Sequence, residues 1–221
     1  MGMSGSTLEI ALQERFGFNL WQIAAGIAAH GESTLFCVPA RSNLGKYAHF
    51  LRRVRLTWGR DDVTRPPHYA EGHVYSVNNF AGVNMRDYIR PQCIRSACTI
   101  IHIRGGDYLT HMPPALQPEK DFFARALEAV GAEGRREVAV MTDDPQRARE
   151  LLPGLPIIGT GDEVRDWCIL CGARRVICSP SAWCWWAAYA GEHEQVVLAD
   201  RYGSSPRHAP DLLFPGACYA K

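Results

Sequence analysis

Apolar and polar positions along the chain alternate between two periods, and that alternation predicts the elements. Thr99-Ile100-Ile101-His102-Ile103 is a short β-branched run bounded by turn residues, the pattern of a buried strand. Glu137 to Met141, Arg174 to Cys178 and Gln195 to Leu198 read the same way. Between them lie helical stretches: Glu119 to Val130, Pro145 to Leu152, Asp162 to Cys171 and Ala182 to Ala190. Ile157-Ile158 is a further short strand. The first ten residues, small and polar, read either as disordered or as a strand remnant at Leu8 to Leu12; an alanine-rich helix from Leu20 to His30 stopped by Gly31 and a strand from Thr34 to Val38 follow. A basic amphipathic helix is expected from Lys46 to Arg55 and a helical turn from Asn84 to Ile89. Trp58 to Val83 and the proline-rich stretch Thr110 to Pro118 read as irregular. Strands alternating with helices predict an α/β fold with parallel sheets flanked by helices. A seam between two halves is expected near Pro91 to Ala97, giving divisions 1–96 and 97–221.

Composition narrows the class. The chain has 221 residues, 47% hydrophobic and 21% charged, with a net charge of +1. Nothing in that balance favours bulk binding to nucleic acid or membrane. The longest apolar stretch, Leu20 to Ala29, is too short to span a bilayer and lacks a signal peptide's layout. A soluble, cytoplasmic protein without a membrane span is the expectation. Eight cysteines are scattered along a chain long enough to build its own core, so a disulfide scaffold is not expected. Cys168-x-x-Cys171 has zinc-like spacing, but no second such pair exists, and Trp167, Ile169 and Leu170 around it look like core.

The candidate chemistry begins where the Thr99–Ile103 strand ends. His102 and Arg104 stand two apart and share a face in an extended strand. Gly105-Gly106 follow, then Asp107-Tyr108. Arginine offers a planar fork suited to phosphate, and the carboxyl end of a strand is where an open α/β sheet binds its ligand. A buried strand followed by a solvated turn would leave the same trace, with Asp107 as a turn cap.

His102-Ile103-Arg104-Gly105-Gly106-Asp107-Tyr108-Leu109 resembles the H-x-R-x-G-D-Y-L motif of the α-1,2-fucosyltransferases. Three other segments resemble that family in the same order. Arg15-Phe16-Gly17-Phe18-Asn19-Leu20-Trp21-Gln22 is similar to its amino-terminal glycine motif, a loop opening a helix and thus an anion site, though an ordinary loop-to-core-helix junction has the same form. Thr142-Asp143-Asp144-Pro145 is similar to its strand ending in S/T-D-D-P, where the acids could equally cap a helix. Asp166, Ser181, Trp185, Trp186, Ala187, Ala188 and Tyr189 match its carboxyl-terminal segment. Three tryptophans within four residues fit core packing better than a sugar platform.

The resemblance implies two Rossmann-like halves (GT-B-like), an acceptor-side half at 1–96 that is reduced, and a nucleotide-sugar-binding half at 97–221. It implies an inverting, metal-independent glycosyltransferase moving fucose from GDP-fucose to a glycan acceptor, with no cofactor and no metal site. Arg104 would stabilise the departing GDP and Asp107 would accept the acceptor's proton. His102, Gly17, Asn19, Asp143, Asp144, Asp166, Ser181 and Ala182 would line the donor. The chain departs from the pattern at Gly105, where a second arginine is common, and at Phe18, Pro180, Ala182 and Cys184. About eighty residues separate Gln22 from His102, a short interval for the family. Each lost charged phosphate contact is worth on the order of 1–3 kcal/mol. A different nucleotide sugar, or a non-catalytic protein that binds nucleotide or glycan, therefore stands as the alternative.

Overall fold

The computed structural model describes residues 9–12, 15–59, 63, 80–111, 117–131, 137–199 and 212–220; the side chains of Asp107 and His111 lie outside the description. Most of the expected irregular stretch Trp58 to Val83, and part of Thr110 to Pro118, fall outside it too. The chain divides into two compact units, Met1–Arg90 and Pro91–Lys221.

The first unit holds a three-stranded parallel sheet in the order β1 (Glu9–Ala11), β2 (Leu35–Val38), β3 (Arg55–Trp58). Helix α1 (Phe16–His30) connects β1 to β2. It starts four residues before the expected Leu20, because Arg15 is the extended residue that caps it. Gly17 is thus inside the first turn and buried, and the expected glycine loop is helix. Gly26 lets α1 approach the sheet: a Cβ there would lie 2.6 Å from the Phe36 ring.

The expected helix from Lys46 to Arg55 is replaced by a 3-10 helix, Asn43–Phe50, and then by β3. Its buried residues, Leu44, Tyr47 and Phe50, recur every three positions, which is the period of a 3-10 helix. The chain breaks out of the helix at Leu51, passes through Arg53 in the left-handed region (φ 59°) and enters the edge strand.

The second unit holds a five-stranded, all-parallel sheet in the order β5-β4-β6-β7-β8. Its strands are β4 (Ser96–Ile103), β5 (Val138–Thr142), β6 (Ala173–Cys178), β7 (Gln195–Leu198) and β8 (Ala217–Tyr219). The last was not expected from the sequence. Beyond β5, Ile157 forms a parallel bridge with Val140, with the Val140 amide donating to the Pro156 carbonyl at 2.8 Å and the Ile158 amide to the Val140 carbonyl at 2.9 Å. With that bridge counted, the positions follow one another along the chain in the order 3-2-1-4-5-6, the order of a doubly wound Rossmann sheet.

Helices α2 (Asp107–His111) and α3 (Lys120–Ala129) follow β4. Helices α4 (Pro145–Leu151) and α5 (Glu163–Cys171) follow β5, and α6 (Ala182–Ala190) follows β6. Ile101, Ile103, Val138, Val140 and Ile177 pack with Phe122, Phe123 and Ala126 of α3 and Ala148 of α4 in one buried cluster. Side chains alternate across a strand, so His102 points to the other face, where the Trp183 ring of α6 lies 5.4 Å away. Burial of these β-branched strands on both sides is what makes them read as continuous apolar runs.

Trp185 and Trp186 are core residues, 1% and 0% exposed, and the Trp185 indole donates to the Leu212 carbonyl at 2.9 Å. No helix among the described residues is long and apolar enough to cross a membrane.

Candidate functional site at the carboxyl edge of the second sheet

Strand order reverses between β4 and β6. β4 leads to β5 on one side, and the chain then returns to place β6 on the other. The connections leaving β4 and β6 therefore part in opposite directions, the topology at which doubly wound sheets bind their ligands. The residues that end those two strands are His102-Ile103-Arg104-Gly105 and Cys178-Ser179-Pro180-Ser181.

Ser179, which the sequence analysis passed over, ties the two strand ends together. Its hydroxyl accepts from the Arg104 amide at 2.9 Å and lies 3.2 Å from the His102 Nδ1, while its own amide donates to the His102 carbonyl at 3.1 Å. Its signal was the hydroxyl immediately following a buried strand. His102 is buried, and removal from water, helped by the nearby Arg104 charge, holds its pKa down at about 3. It is a neutral imidazole under all ordinary conditions, able to hydrogen-bond but not to supply positive charge.

Arg104 is partly exposed, and its guanidinium forms an ion pair with the Asp143 carboxylate. The other Asp143 oxygen accepts from the Gly105 amide at 2.7 Å. A guanidinium and a backbone amide thus converge on one anion, as they would on a phosphate oxygen. The anion they hold here belongs to the chain itself.

Asp144 turns away from this contact. It caps α4 by accepting from the Arg147 amide at 3.0 Å, and its own amide donates to Thr142 Oγ1 at 2.9 Å. Its side chain presses on Gly105, where a Cβ would lie only 2.2 Å from the Asp144 Cβ. Glycine at position 105 is therefore required by this packing.

The remaining expected residues of the second unit stand on the same edge. Ser181 is the extended residue capping α6, with its hydroxyl accepting from the Cys184 amide at 3.4 Å, and Ala182 is the first residue of the helix. The first turn of α6 carries no acidic side chain, so its partial positive charge is not offset there. Asp166 on α5 accepts from the Thr160 amide and hydroxyl at 2.8 and 2.7 Å. Its other oxygen lies 3.7 Å from where a Gly159 Cβ would be, and the Thr142 carbonyl at the end of β5 lies 3.8 Å from the same point.

Asp107 opens α2, and its side chain lies outside the described residues. The neighbouring Tyr108 hydroxyl is buried and has no hydrogen-bond partner among the described residues. Burial raises its pKa well above the ordinary tyrosine value, against the nearby Arg104 charge.

Gly17 and Asn19 belong to the first unit. Asn19 is fully buried and its Nδ2 donates to the Ser42 hydroxyl at 2.8 Å. Its Oδ1 has no hydrogen-bond partner among the described residues. Among the described residues no group of three or more His, Cys, Asp or Glu is arranged to hold a metal ion.

Comparison with protein-family models, with curated proteins and with solved structures gives no match.

Proposed function

We propose that the protein is an inverting, metal-independent glycosyltransferase that moves fucose from GDP-fucose to a sugar hydroxyl. The observation that carries this reading is the convergence of the Arg104 guanidinium and the Gly105 amide on a single carboxylate, beside the switch point between β4 and β6. That is an anion cradle at the place where doubly wound sheets bind nucleotides. The amino-terminal end of α6 and the Ser179 and Ser181 hydroxyls add polar groups along the same edge. The order of the four fucosyltransferase-like segments supplies the substrate class.

In the proposed reaction the acceptor oxygen attacks the anomeric carbon while the bond from that carbon to the diphosphate oxygen breaks. GDP leaves with the bonding pair, and Arg104 stabilises the charge that develops on it. The acceptor's proton passes to a carboxylate, for which Asp107 is the candidate. His102, Asp143, Asp144, Asp166, Ser181 and Ala182 form the donor surround in the second unit. Gly17 and Asn19 are assigned to the donor by resemblance alone. A GT-B-like division of labour follows, with the first unit shaping the acceptor side.

One observation favours a narrower second reading. Asp143 fills the cradle and Asp144 fills the space of a second arginine, so a single cation serves where the family has two. A different nucleotide sugar, or nucleotide binding without transfer, would suit that reduced charge.

Calorimetric titration with GDP, GDP-fucose and UDP, on the wild type and on Arg104→Ala, tests both. Selective guanine-nucleotide binding that weakens about tenfold to a hundredfold in the variant supports the donor assignment, since a hydrogen bond to a charged group contributes about 1.5–3 kcal/mol. Selective UDP binding would change the donor. No binding by the folded protein would overturn the transferase reading.

A further inference from the structure

His102 and Ser179 are 5% and 3% exposed, at the point where β4 and β6 end side by side. His102 pairs with Cys178 across the two strands, and the Ser179 amide donates to the His102 carbonyl at 3.1 Å. The serine backbone is thus fixed beside the histidine, and its hydroxyl meets a small set of partners.

Those partners can be counted. A serine oxygen accepts through two lone pairs and donates one proton. The Arg104 amide occupies one lone pair, donating at 2.9 Å. The other contact among the described residues is with His102 Nδ1 at 3.2 Å. An amide only donates, so the imidazole contact is the one whose direction is open. Were Nδ1 protonated, the serine oxygen would accept twice and its own buried proton would have no acceptor. A buried donor left unmet is costly. With Nδ1 bare, the hydroxyl donates to it and the serine's donor and acceptor are both used.

The count also settles the far side of the ring. A neutral imidazole carries one ring proton, so a bare Nδ1 places it on Nε2. The ring is neutral because it is removed from water beside the Arg104 charge. Among the described residues Nε2 forms no hydrogen bond, and it keeps a small exposure to solvent.

We propose that Ser179 is a positioning residue that holds His102 as an Nε2–H donor for ligand at the switch point between β4 and β6. The ligand atom it takes is an unprotonated oxygen, of a phosphate or of a carbonyl. The ligand half of this inference rests on the nucleotide-binding reading above, and the tautomer half does not. The neighbouring groups act in the same sense, since the Arg104 guanidinium and the Gly105 amide are donors too. A ligand ammonium at this point would meet a donor where it needs an acceptor.

Nitrogen NMR of the full chain with 15N-labelled histidine, at pH 7, tests both halves. The chain has eight histidines, and comparison with His102→Gln identifies the imidazole in question. The expected ligand-free spectrum has the His102 proton on Nε2 and a bare, hydrogen-bonded Nδ1. In Ser179→Ala the Nδ1 resonance should move toward that of a free ring nitrogen, and Ser179→Thr should return it. A serine that only supports the fold would lower stability without moving that resonance. GDP and inorganic pyrophosphate separate the two ligand sources. An Nε2 resonance that shifts with both points to a phosphate oxygen, and one that shifts with GDP alone points to a base carbonyl. GDP should bind Ser179→Ala up to about tenfold more weakly, the worth of one neutral hydrogen bond. A proton on Nδ1 in the ligand-free wild type overturns the proposal, and this holds even if Ser179→Ala does not fold. An Nδ1 resonance unmoved in folded Ser179→Ala overturns it too, as does an Nε2 resonance unmoved by bound GDP. Absence of all GDP and pyrophosphate binding overturns the transferase reading and the ligand half together, while the ligand-free spectrum still decides the tautomer.

Discussion

The two sheets of this chain are built from the same parts and arrive at different results. Both are parallel, both place a helix after their first strand, and both carry side-chain hydroxyls beyond their strand ends. In the first unit the described strands run β1-β2-β3 without reversal, and the polar groups there turn inward. Asn19 bonds Ser42, and Ser42 caps the 3-10 helix by accepting from the Leu44 amide at 3.1 Å. In the second unit the order reverses at β4, and the equivalent groups collect around a partly exposed cation. Residue types alone do not separate the two edges; strand order does.

The largest effect that can break this comparison is steric. Gly105→Arg, which would supply the second arginine of the resemblance, must push a Cβ into Asp144. A loss of about 3 kcal/mol is expected, at the upper end of overpacking costs. Gly26→Ala is the matched change in the first unit, since its Cβ would meet the Phe36 ring at 2.6 Å. Denaturant melts should show both variants destabilised, with nucleotide binding retained by folded Gly26→Ala and lost by Gly105→Arg. If Asp144→Gly does not restore stability to Gly105→Arg, the packing argument is wrong.

Ser179→Ala comes next. It removes the acceptor for the part-buried Arg104 amide and the buried contact with His102 at the switch point. About 2 kcal/mol of stability should go, with leaving a buried donor unsatisfied as the main cost. Asn84→Ala in the first unit, where the Asn84 side chain accepts from the Arg86 amide at 3.3 Å at the start of a short 3-10 helix, should cost about 1 kcal/mol, the ordinary loss for a helix cap. Equal losses would mean that the β4–β6 junction is no more demanding than an ordinary turn.

Most elements of the second unit were visible in the sequence, for a physical reason. The strands and helices of the second unit are buried on fixed faces, so their periodicity survives in the residues. The first unit was less legible. The buried spacing at Leu44, Tyr47 and Phe50 has a 3-10 period that resembles an amphipathic helix, and the edge strand β3 has no apolar run to announce it. Among the described residues the short strand β8 pairs only with β7, and its side chains are partly buried. At the site, Arg104 and Asp143 were legible as chemistry. Their pairing was not, because it depends on β5 lying beside β4. Ser179 was missed because its importance comes from where β6 returns.

A pH titration sharpens the comparison further. His102 has a folded pKa near 3, below the ordinary value of 6.5 that it regains on unfolding. Between those values the unfolded chain binds the proton and the folded one does not. Stability contributed by the neutral imidazole is therefore fully present above pH 6.5 and falls as the pH drops toward 3. The slope approaches 1.4 kcal/mol per pH unit. His102→Gln should flatten the fall between pH 6 and pH 4 when urea midpoints are compared. An unchanged slope would mean that His102 is protonated in the fold.

The smallest effect is the most informative about function. Asp143 is the carboxylate that the Arg104 and Gly105 cradle holds in the absence of another anion. Any phosphate entering must displace it, and the lost ion pair sets a cost on binding. Both partners are about one-third exposed, so solvent screens the pair and the cost is modest. Asp143→Asn keeps the shape of the side chain and removes its charge. GDP should then bind about fivefold more tightly, equivalent to about 1 kcal/mol. The gain should shrink in high salt, because the removed charge acts partly through solvent. Weaker GDP binding in Asp143→Asn would overturn this displacement account. Asp143 would then be a ligand-holding carboxylate, and the cradle would exist to position it rather than to exchange it for phosphate.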